Sequence, residues 1–323
     1  MIEIIKAGMY TTVQDYPGRL GYWNIGLPIN GPMDSLAFRI GNKLLGNPEG
    51  EAGLEMTITG DVYCFHKPMR ICFTGAKMMG AWNGNEIPWY TPFEVKKGDE
   101  ITLKGIQGSG MRSYLTVLGG IDVPVYIGSK STFPLGKYGG HEGRILRAGD
   151  VLKTGNSSKC TKSKMLKSSV KFNCITEYDS KWEIGVLPGP HYAPDFFTEN
   201  FAEEFFATNW TLNHNSSRLG CRLDGPIPSF ARTDGGAGGA HPSNIIDNPY
   251  TVGAINFTGN MPIILGVDGM SMGGFINMVT VVEAELWKVG QLYPGDSIRF
   301  VKITYNEALD LKKRQEDMIR LIG

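Results

Sequence analysis

AINFTG followed by MPIILGVDG, residues 254–269, is the stretch that decides the fold class. Two runs of strand-forming residues are separated there by glycine and asparagine, which suit a turn, and a second turn signal follows. Short apolar runs that are bounded in this way are typical of β-strands rather than helices. The stretch therefore predicts two consecutive strands.

The same rhythm extends outward from this stretch along the whole chain. Strand formers are interrupted about every eight to twelve residues by Gly, Pro, Asn or Asp, a spacing that is typical of β-barrels and β-sandwiches. Further examples are MRICFTG at 69–75, FEVKKGDEITL at 93–103 and SYLTVLGG at 113–120. The sequence thus predicts a mainly β protein.

Helical periodicity is clear in only a few places. SLAFRIGNKLLG, at 35–46, puts its leucines and isoleucine on one face, with Asp34 and Ser35 as candidate N-caps and Gly46 as the stop signal. A second helix is predicted from about residue 200 to 206, and a third from about 306 to 321. We therefore expect a few short helices beside the strands.

Length and composition indicate two domains. A chain of 323 residues exceeds the size, about 250 to 300 residues, at which one hydrophobic core stops growing. TGNSSKCTKSKMLKSSVK, at 154–171, is rich in Ser and Lys and nearly free of aromatic residues, as linkers are. We predict an N-terminal domain over 1–153, a linker over 154–181 and a C-terminal domain over 182–323. Short echoes between the halves, such as WNIG at 23 and WEIG at 182, leave gene duplication and coincidence equally open.

Charge and hydropathy exclude several classes of protein. The 32 Lys and Arg residues balance 32 Asp and Glu residues, so no strong field favours nucleic acid or an anionic membrane. Glycine, at 43 residues, is about twice as frequent as usual, yet 41% of the chain is hydrophobic, which excludes a disordered chain. No apolar run approaches the roughly 18 residues of a spanning helix. We expect a cytoplasmic protein that binds neither nucleic acid nor membrane.

Several familiar chemical signatures are absent from the sequence. It contains no phosphate loop, no GxSxG elbow, no HExxH and no GxGxxG between a strand and a helix. The five cysteines are widely spaced, with no CxxC and no histidine at ligand spacing. We therefore expect no metal site and no disulfide framework, and any nucleotide would be bound by another chain or in an unfamiliar pocket.

RTDGGAGGAHPSNIIDNPYTVGAINFTGN, at 232–260, is a dense polar stretch beside many glycines. Converging donors and bare backbone amides suit a small-molecule site, although a long surface loop whose Asn and Asp side chains cap turns fits equally well. A catalytic His241 would need a partner, for which Asp247 is the nearest candidate, and a structural histidine is an equal alternative. His191, in PGPHYAPD, is a weaker second candidate. The candidate residues of the stretch are His241, Ser243, Asn244, Asp247, Tyr250 and Asn256.

Two further motifs follow this stretch. In GVDGMSMGGF, at 266–275, Asp268 begins a turn, and the pair Gly273 and Gly274 either lets a ligand lie against bare backbone or permits a tight barrel corner, which is favoured. Lys288 could supply a cation to a bound carboxylate, but a solvated lysine at a strand end is the commoner outcome.

Eight stretches that run nearly end to end resemble the carboxyltransferase domain of urea carboxylase, also called allophanate hydrolase subunit 2. Relatives in this family include the C subunit of 5-oxoprolinase and the antagonist of the Kip sporulation-kinase inhibitor. The resemblance of HPSN, INFTG and ELWKVGQ is to the urea carboxylase branch. The stretches are TTVQDYPGR, GPMDSLAFRIGN, MRSYLTVLGGIDVP, YGGHEGRILRAGD, NSSRLGCRLDGP, GGAHPSNIIDNPYTVGAINFTGNMPIIL, DGMSMGGF and AELWKVGQLYPGDSIRF.

The resemblance implies two cyclophilin-like β-barrel domains, with the polar site in the second. It also implies transfer of a carboxyl group from carboxybiotin to urea or a related amide or guanidine nitrogen. On this hypothesis the catalytic residues are His241, Asn244 and Asp247. The acceptor would bind to Ser243, Tyr250, Asn256 and Asp268, and carboxybiotin would lie near Gly273, Gly274 and Lys288.

The implied partners are a subunit 1 (Kip-inhibitor-like) protein, a biotin carboxylase and a biotin carrier protein that presents biotin in trans. ATP would be used by the complex rather than by this chain. Two alternatives remain open. The chain could be the C subunit of an ATP-dependent 5-oxoprolinase, or a non-catalytic antagonist of a Kip-type kinase inhibitor.

Overall fold

The computed structural model describes residues 1–155, 178–233 and 235–322. Most of the predicted linker, residues 156–177, lies outside the described residues, so the predicted domain boundaries stay a prediction. The chain divides into two compact units. The first comprises Met1–Leu20, Asn30–Asp179 and Glu316–Gly323, and the second comprises Gly21–Ile29 and Ser180–Gln315.

The first unit is built from two antiparallel sheets around one hydrophobic core. The strands are β1 (Ile2–Lys6), β2 (Tyr10–Gln14), β3 (Gly53–Thr57), β4 (Val62–Phe65), β5 (Met69–Gly75), β6 (Met78–Trp82), β7 (Phe93–Val95), β8 (Glu100–Ile106), β9 (Arg112–Val117), β10 (Ile121–Asp122) and β11 (Val151–Thr154). The six-stranded sheet has the order β10-β11-β1-β4-β8-β6, and the five-stranded sheet has the order β2-β3-β9-β5-β7. Ile4 and Leu103 from the first sheet and Leu54 and Phe73 from the second belong to one buried cluster.

Helix α1 (Ser35–Leu45) packs against the five-stranded sheet and has the predicted caps. Asp34 accepts a hydrogen bond from the Ala37 amide at 2.9 Å, and Gly46 ends the helix with a left-handed φ of 78°. The Phe38 ring meets the Tyr114 ring of β9 edge to face, with centroids 5.7 Å apart. The local sequence signals of this helix are confirmed.

The second unit contains a closed seven-stranded barrel. The strands of the second unit are β12 (Lys181–Pro188), β13 (Trp210–Leu212), β14 (Gly220–Asp224), β15 (Asn244–Pro249), β16 (Ala254–Thr258), β17 (Met261–Leu265), β18 (Met272–Phe275), β19 (Asn277–Val281) and β20 (Ser297–Lys302). The barrel has the order β12-β19-β16-β17-β14-β13-β20, and β12 and β20 pair in parallel. Phenylalanines form much of its interior, and Phe205 stacks on Phe300 with centroids 5.2 Å apart.

The prediction of a mainly β chain is confirmed, and so is the pair of strands that decided it. β16 and β17 pair from Ile255 opposite Ile264 to Thr258 opposite Met261, with Gly259 in the turn at a φ of 64°. β15 and β18 form a separate two-stranded antiparallel ribbon, which begins with Asn244 opposite Phe275. Strand β15 of this ribbon belongs to the predicted polar stretch.

The remaining helices are α2 (Glu199–Ala207), α3 (Leu286–Gln291) and α4 (Tyr305–Arg320). Two of them were expected, but α3 corrects the expectation that Lys288 ends a strand. LWKVGQ forms a short helix whose Trp287 and Val289 are buried. Among the described residues, no helix is both long and apolar enough to cross a membrane.

Candidate functional site

A pocket of about 470 Å³ lies in the second unit beside the β15–β18 ribbon. Sites for small molecules commonly enclose about 300 to 1,000 Å³. His191 and Phe196, from the segment after β12, line the pocket together with Arg232, which follows β14. Ile245 and Asp247 of β15 also line it. Three separate segments of the unit therefore contribute titratable or apolar side chains to one cavity.

His191 is held in one orientation by the backbone of Asn277. Its amide donates to the Asn277 carbonyl oxygen, and its Nδ1 accepts from the Asn277 amide, both at 3.1 Å. Burial, and then the positive charge of Arg232, lower the pKa of His191. Since Nδ1 is an acceptor, the neutral ring carries its proton on Nε2. The ring thus offers an N–H donor at its other edge.

Arg232 and Asp247 give the pocket one positive and one negative group. The Arg232 guanidinium lies over the Phe196 ring at 5.6 Å, and its Nη1 donates to the Asn244 carbonyl oxygen at 3.4 Å. Within the described part of the chain, neither Arg232 nor Asp247 forms an ion pair. Both charges therefore remain available to a ligand.

Tyr250 holds the ribbon that carries Asp247. Its hydroxyl accepts from the Phe275 amide at 2.7 Å and donates to the Phe275 carbonyl oxygen at 3.1 Å. A Cβ on Gly273 would come within 2.8 Å of the Tyr250 ring, and one on Gly274 within 2.9 Å of a backbone oxygen. Both glycines are therefore closely packed in the ribbon, which is separate from the barrel, and neither lines the pocket.

The expected pairing of His241 with Asp247 is not formed. His241 Nδ1 lies 2.9 Å from the Ser243 hydroxyl and accepts from the Ser243 amide at 3.2 Å, so its nearest partner is its neighbour along the chain. Ser243 is fully buried, and its hydroxyl oxygen accepts from the Gly259 amide at 3.1 Å. Ser243 thereby ties the start of β15 to the turn between β16 and β17. His241 itself is exposed and does not line the pocket.

Two other predicted acceptor-binding residues lie beneath the ribbon. Tyr250 and Asn256 are each 3% exposed, and the Asn256 side chain bonds to Tyr250. Asn256 faces Asn277 across the β16–β19 ladder. In the described part of the chain, the side-chain oxygens of both asparagines lack a donor. Of the candidate residues in the polar stretch at 232–260, Asp247 alone lines the pocket, and Asn244 contacts Arg232 through its carbonyl oxygen.

Asp268 and Lys288 are engaged by protein partners. Asp268 is 4% exposed, and its two oxygens accept from Arg218 Nε at 2.8 Å and Nη2 at 3.0 Å. Lys288 Nζ donates to Glu285 Oε1 at 2.8 Å and to the Glu183 carbonyl oxygen at 2.7 Å. Each charge thus has a protein partner and neither residue lines this pocket, so the predicted roles of the two residues stay a prediction.

The sequence signal missed Arg232 and underrated His191. Arg232 begins the polar stretch, but it is separated from the other candidate residues by a run of glycines and shows no local pattern of its own. His191 lies in a segment with three nearby prolines and an aromatic residue, a setting that fixes a side chain but does not reveal what it faces. Their convergence with Asp247 depends on long-range strand pairing.

The amino-acid sequence of the chain is similar to those of two groups of known proteins. The chain is 46% identical to the urea amidolyase of Saccharomyces cerevisiae over 99% of its own length and 17% of that protein. It thus spans about a sixth of the length of that relative. It is 35% identical to the 5-oxoprolinase C subunit of Escherichia coli, over 98% of its own length and 96% of that protein.

The fold also has close counterparts among solved structures. The crystal structure of the Kluyveromyces lactis urea carboxylase superposes with a TM-score of 0.95 at 43% identity, and covers 100% of this chain and 29% of that one. Residues 25–302 match the family described as "Carboxyltransferase domain, subdomain A and B". The chain therefore belongs to this family of carboxyltransferase domains.

Proposed function

We propose that this chain transfers a carboxyl group from carboxybiotin to urea or to a related amide or guanidine nitrogen. The observation that carries the proposal is the pocket that combines Arg232, Asp247 and a neutral His191. The cation suits the carboxylate of carboxybiotin. The carboxylate of Asp247 and the N–H group of His191 suit urea, which both donates and accepts hydrogen bonds. The identity of 46% to a urea amidolyase supports urea as the acceptor.

The residues of the pocket fit a carboxylated ureido ring. Bound carboxybiotin supplies a carboxyl group on a ureido nitrogen. Arg232 would hold that carboxylate, because a planar guanidinium matches carboxylate geometry with two parallel hydrogen bonds. Phe196, whose ring lies beneath the guanidinium, limits the orientations that Arg232 can adopt.

Asp247 and His191 would position the acceptor. Asp247 would accept hydrogen bonds from the N–H groups of urea, and the Nε2–H of His191 would donate to its oxygen. A pocket that holds both molecules in one geometry lowers the entropic part of the reaction barrier. Ile245 gives the pocket an apolar wall beside these polar groups.

Carboxyl transfer of this kind needs partners. We propose that a biotin carrier protein presents biotin in trans, that a biotin carboxylase consumes ATP to load it, and that a subunit 1 (Kip-inhibitor-like) protein completes the complex. We propose the cytoplasm as the location. His241, Ser243 and Asn256 would act indirectly, by fixing the ribbon that carries Asp247.

The test is transfer of labelled carboxyl from a carboxybiotin carrier to urea. We expect Arg232→Gln and Asp247→Asn each to lower the rate by about a hundredfold or more, the size of effect that follows loss of one preorganised polar group. Arg299→Gln and Asp310→Asn, at exposed positions of the same unit, make the same changes of charge and are the controls. Normal rates in both pocket variants would overturn the site.

A second candidate function is that of a 5-oxoprolinase subunit. The observation in its favour is coverage, because the chain matches 96% of the length of a 5-oxoprolinase C subunit but only 17% of a urea amidolyase. This function predicts ATP-dependent hydrolysis of 5-oxoproline with no biotin carrier present. A non-catalytic antagonist would instead bind its partner tightly even when Arg232 and Asp247 are replaced.

A further inference from the structure

A pocket of about 580 Å³ lies in the first unit, and the proposed function makes no use of it. It is bounded by β11, by the segment after β10 and by the loop 137–143. The volume lies within the range of small-molecule sites, about 300 to 1,000 Å³. The chemistry of its walls indicates which class of molecule it accepts.

The loop KYGGHEG, residues 137–143, has an unusual backbone. Lys137 and Glu142, which are not glycines, both have a φ of 56°, and the three glycines Gly139, Gly140 and Gly143 have φ values of 71°, 55° and 66°. Residues other than glycine adopt this region at a cost, and such strain clusters at ligand clamps and active sites. A simple surface turn does not need so many left-handed residues.

Close packing against the segment 131–132 holds the loop in this conformation. A Cβ on Gly139 would overlap the Ser131 carbonyl oxygen, and one on Gly140 would overlap the Thr132 hydroxyl. In the described residues, the main-chain N–H groups of His141 and Glu142 have no acceptor. Successive N–H groups in turn conformations form anion-binding concavities. The loop therefore offers backbone donors at the wall of the pocket.

The charged side chains of the pocket leave an excess of positive charge. Lys137 and Lys153 form no ion pair or hydrogen bond through their ammonium groups with any described residue. Of the two acidic residues that line the pocket, Glu142 is bridged by Arg144 at 2.6 Å, which leaves Asp122 as the opposing charge. Two available cations against one carboxylate favour an anionic ligand.

Aromatic rings and a buried arginine complete the pocket. Tyr126 and Tyr138 line it with centroids 5.3 Å apart, and Tyr126 is 47% exposed. The fully buried Arg19 lies over the Tyr138 ring at 4.7 Å and donates to the Ser131 carbonyl oxygen at 3.1 Å. His141 Nε2 lies 3.4 Å from Asp150 Oδ1. The pocket thus has an aromatic face behind which a permanent cation is fixed.

We propose that this pocket binds a small organic anion, a carboxylate or a phosphate monoester. Lys137, Lys153 and the backbone of the loop hold its charged group, and Tyr126 contacts its apolar part. The site belongs to the first unit, so its occupant is distinct from the carboxyl donor and acceptor proposed for the second.

Calorimetric titration of the full chain with phenyl phosphate and with benzoate tests the proposal. At least one anion should bind, and its affinity should fall as sodium chloride is added, because salt screens exposed charges. The double variant Lys137→Gln, Lys153→Gln should bind it at least about tenfold more weakly. Lys97→Gln, Lys104→Gln removes two exposed lysines elsewhere in the unit and should bind as the wild type does.

The two probes distinguish the ligand classes, because tighter binding of benzoate indicates a carboxylate and tighter binding of phenyl phosphate a phosphate ester. Benzyl alcohol is the neutral probe. Binding of benzyl alcohol as tight as that of both anions would overturn the proposal. So would unchanged affinity in the pocket double variant, or no heat with either anion at about 20 mM, a weak-binding limit. None of these outcomes depends on carboxyl transfer, so the two proposals fail separately.

Discussion

His191 shows how one backbone contact sets the chemistry of a side chain. The Asn277 amide can only donate, so it requires an unprotonated Nδ1 and fixes the tautomer that offers Nε2–H to the pocket. Protonation of the ring is opposed first by burial and then by Arg232. At neutral pH the residue is therefore a hydrogen-bond donor without charge, which is compatible with the role proposed for it in holding a urea oxygen.

Replacing Arg232 with glutamine should raise the pKa of His191, because the repulsion between the guanidinium and the imidazolium is removed. Burial remains, so the pKa should stay below the usual 6.5. Arg232→Lys keeps the charge and is the matched control. An NMR titration of the His191 ring measures the change, and an unaltered pKa in Arg232→Gln would show that the two groups do not interact.

The same pKa has a consequence for stability. The folded state lowers the pKa of His191, so the unfolded chain binds a proton at higher pH than the folded chain does. The contribution to stability is complete above about pH 6.5 and is lost as the pH falls through the folded value. In Arg232→Gln, the free energy of unfolding should therefore decrease less between about pH 6.5 and more acidic pH than it does in the wild type.

Asp268 has a structural role in our account. Removing one member of a buried ion pair costs about 3 to 5 kcal/mol, so Asp268→Ala should destabilise the second unit by that amount. Calorimetric unfolding measures the change without adding urea or guanidine, which are proposed acceptors. Asp310→Ala, at an exposed position, should be close to neutral. A loss below about 1 kcal/mol in Asp268→Ala would mean that the carboxylate is not retained for stability.

The sequence alone predicted some of the residues of the candidate site. Asp247 was predicted because polar residues beside glycines are conspicuous in a linear chain. The partner of Asp268 was not predicted, because nothing local reveals Arg218, fifty residues earlier. Arg232 was missed for the same reason, since its place in the pocket depends on segments both before and after it in the chain.

At the scale of elements, the β15–β18 ribbon links the polar stretch to the pocket. Its strands pair with each other, and Tyr250 fixes β18 through both backbone groups of Phe275. The ribbon was not predicted as a strand pair, because NIIDNP lacks the alternation of a half-buried strand. Helix α1 and the strands β16 and β17 were predicted correctly, since their caps, turn residues and apolar runs are local signals.

Gly273→Ala tests whether packing of the ribbon explains this glycine. The added Cβ would lie 2.8 Å from the Tyr250 ring, so we expect a loss of about 1 to 3 kcal/mol, the usual cost of overpacking. Gly105→Ala is the control, because its Cβ would have a single neighbour, 4.0 Å away. Differential scanning calorimetry measures both. Equal stability of the two variants would show that the ribbon adjusts freely and that Gly273 is kept for another reason.

At the scale of the whole molecule, the two units organise their strands differently. The second closes a seven-stranded barrel, whereas the first surrounds its core with two sheets. The echo of WNIG and WEIG carries no structural information, since Trp23 lies in a short 3-10 helix and Trp182 in β12. Such short echoes could not have decided between duplication and coincidence, because strand order is set by long-range pairing.

The zero net charge is a property of the whole molecule that affects which ligands it attracts. It excludes broad electrostatic attraction to polyanions, so recognition depends on individual charges such as Arg232 and Asp247. A small, nearly neutral acceptor such as urea suits that arrangement. The glycine excess serves close packing at Gly273 and left-handed backbone at Gly139, in addition to ordinary turns.

The most direct measurement of the central claim compares two substrates in one experiment. The chain, with its subunit 1 partner, is supplied either with labelled carboxybiotin carrier and urea, or with ATP and 5-oxoproline without a carrier. We predict labelled carboxylated urea, formed at a rate that falls in Arg232→Gln and Asp247→Asn but not in Arg299→Gln or Asp310→Asn. Hydrolysis of 5-oxoproline with no transfer of label to urea would contradict the account.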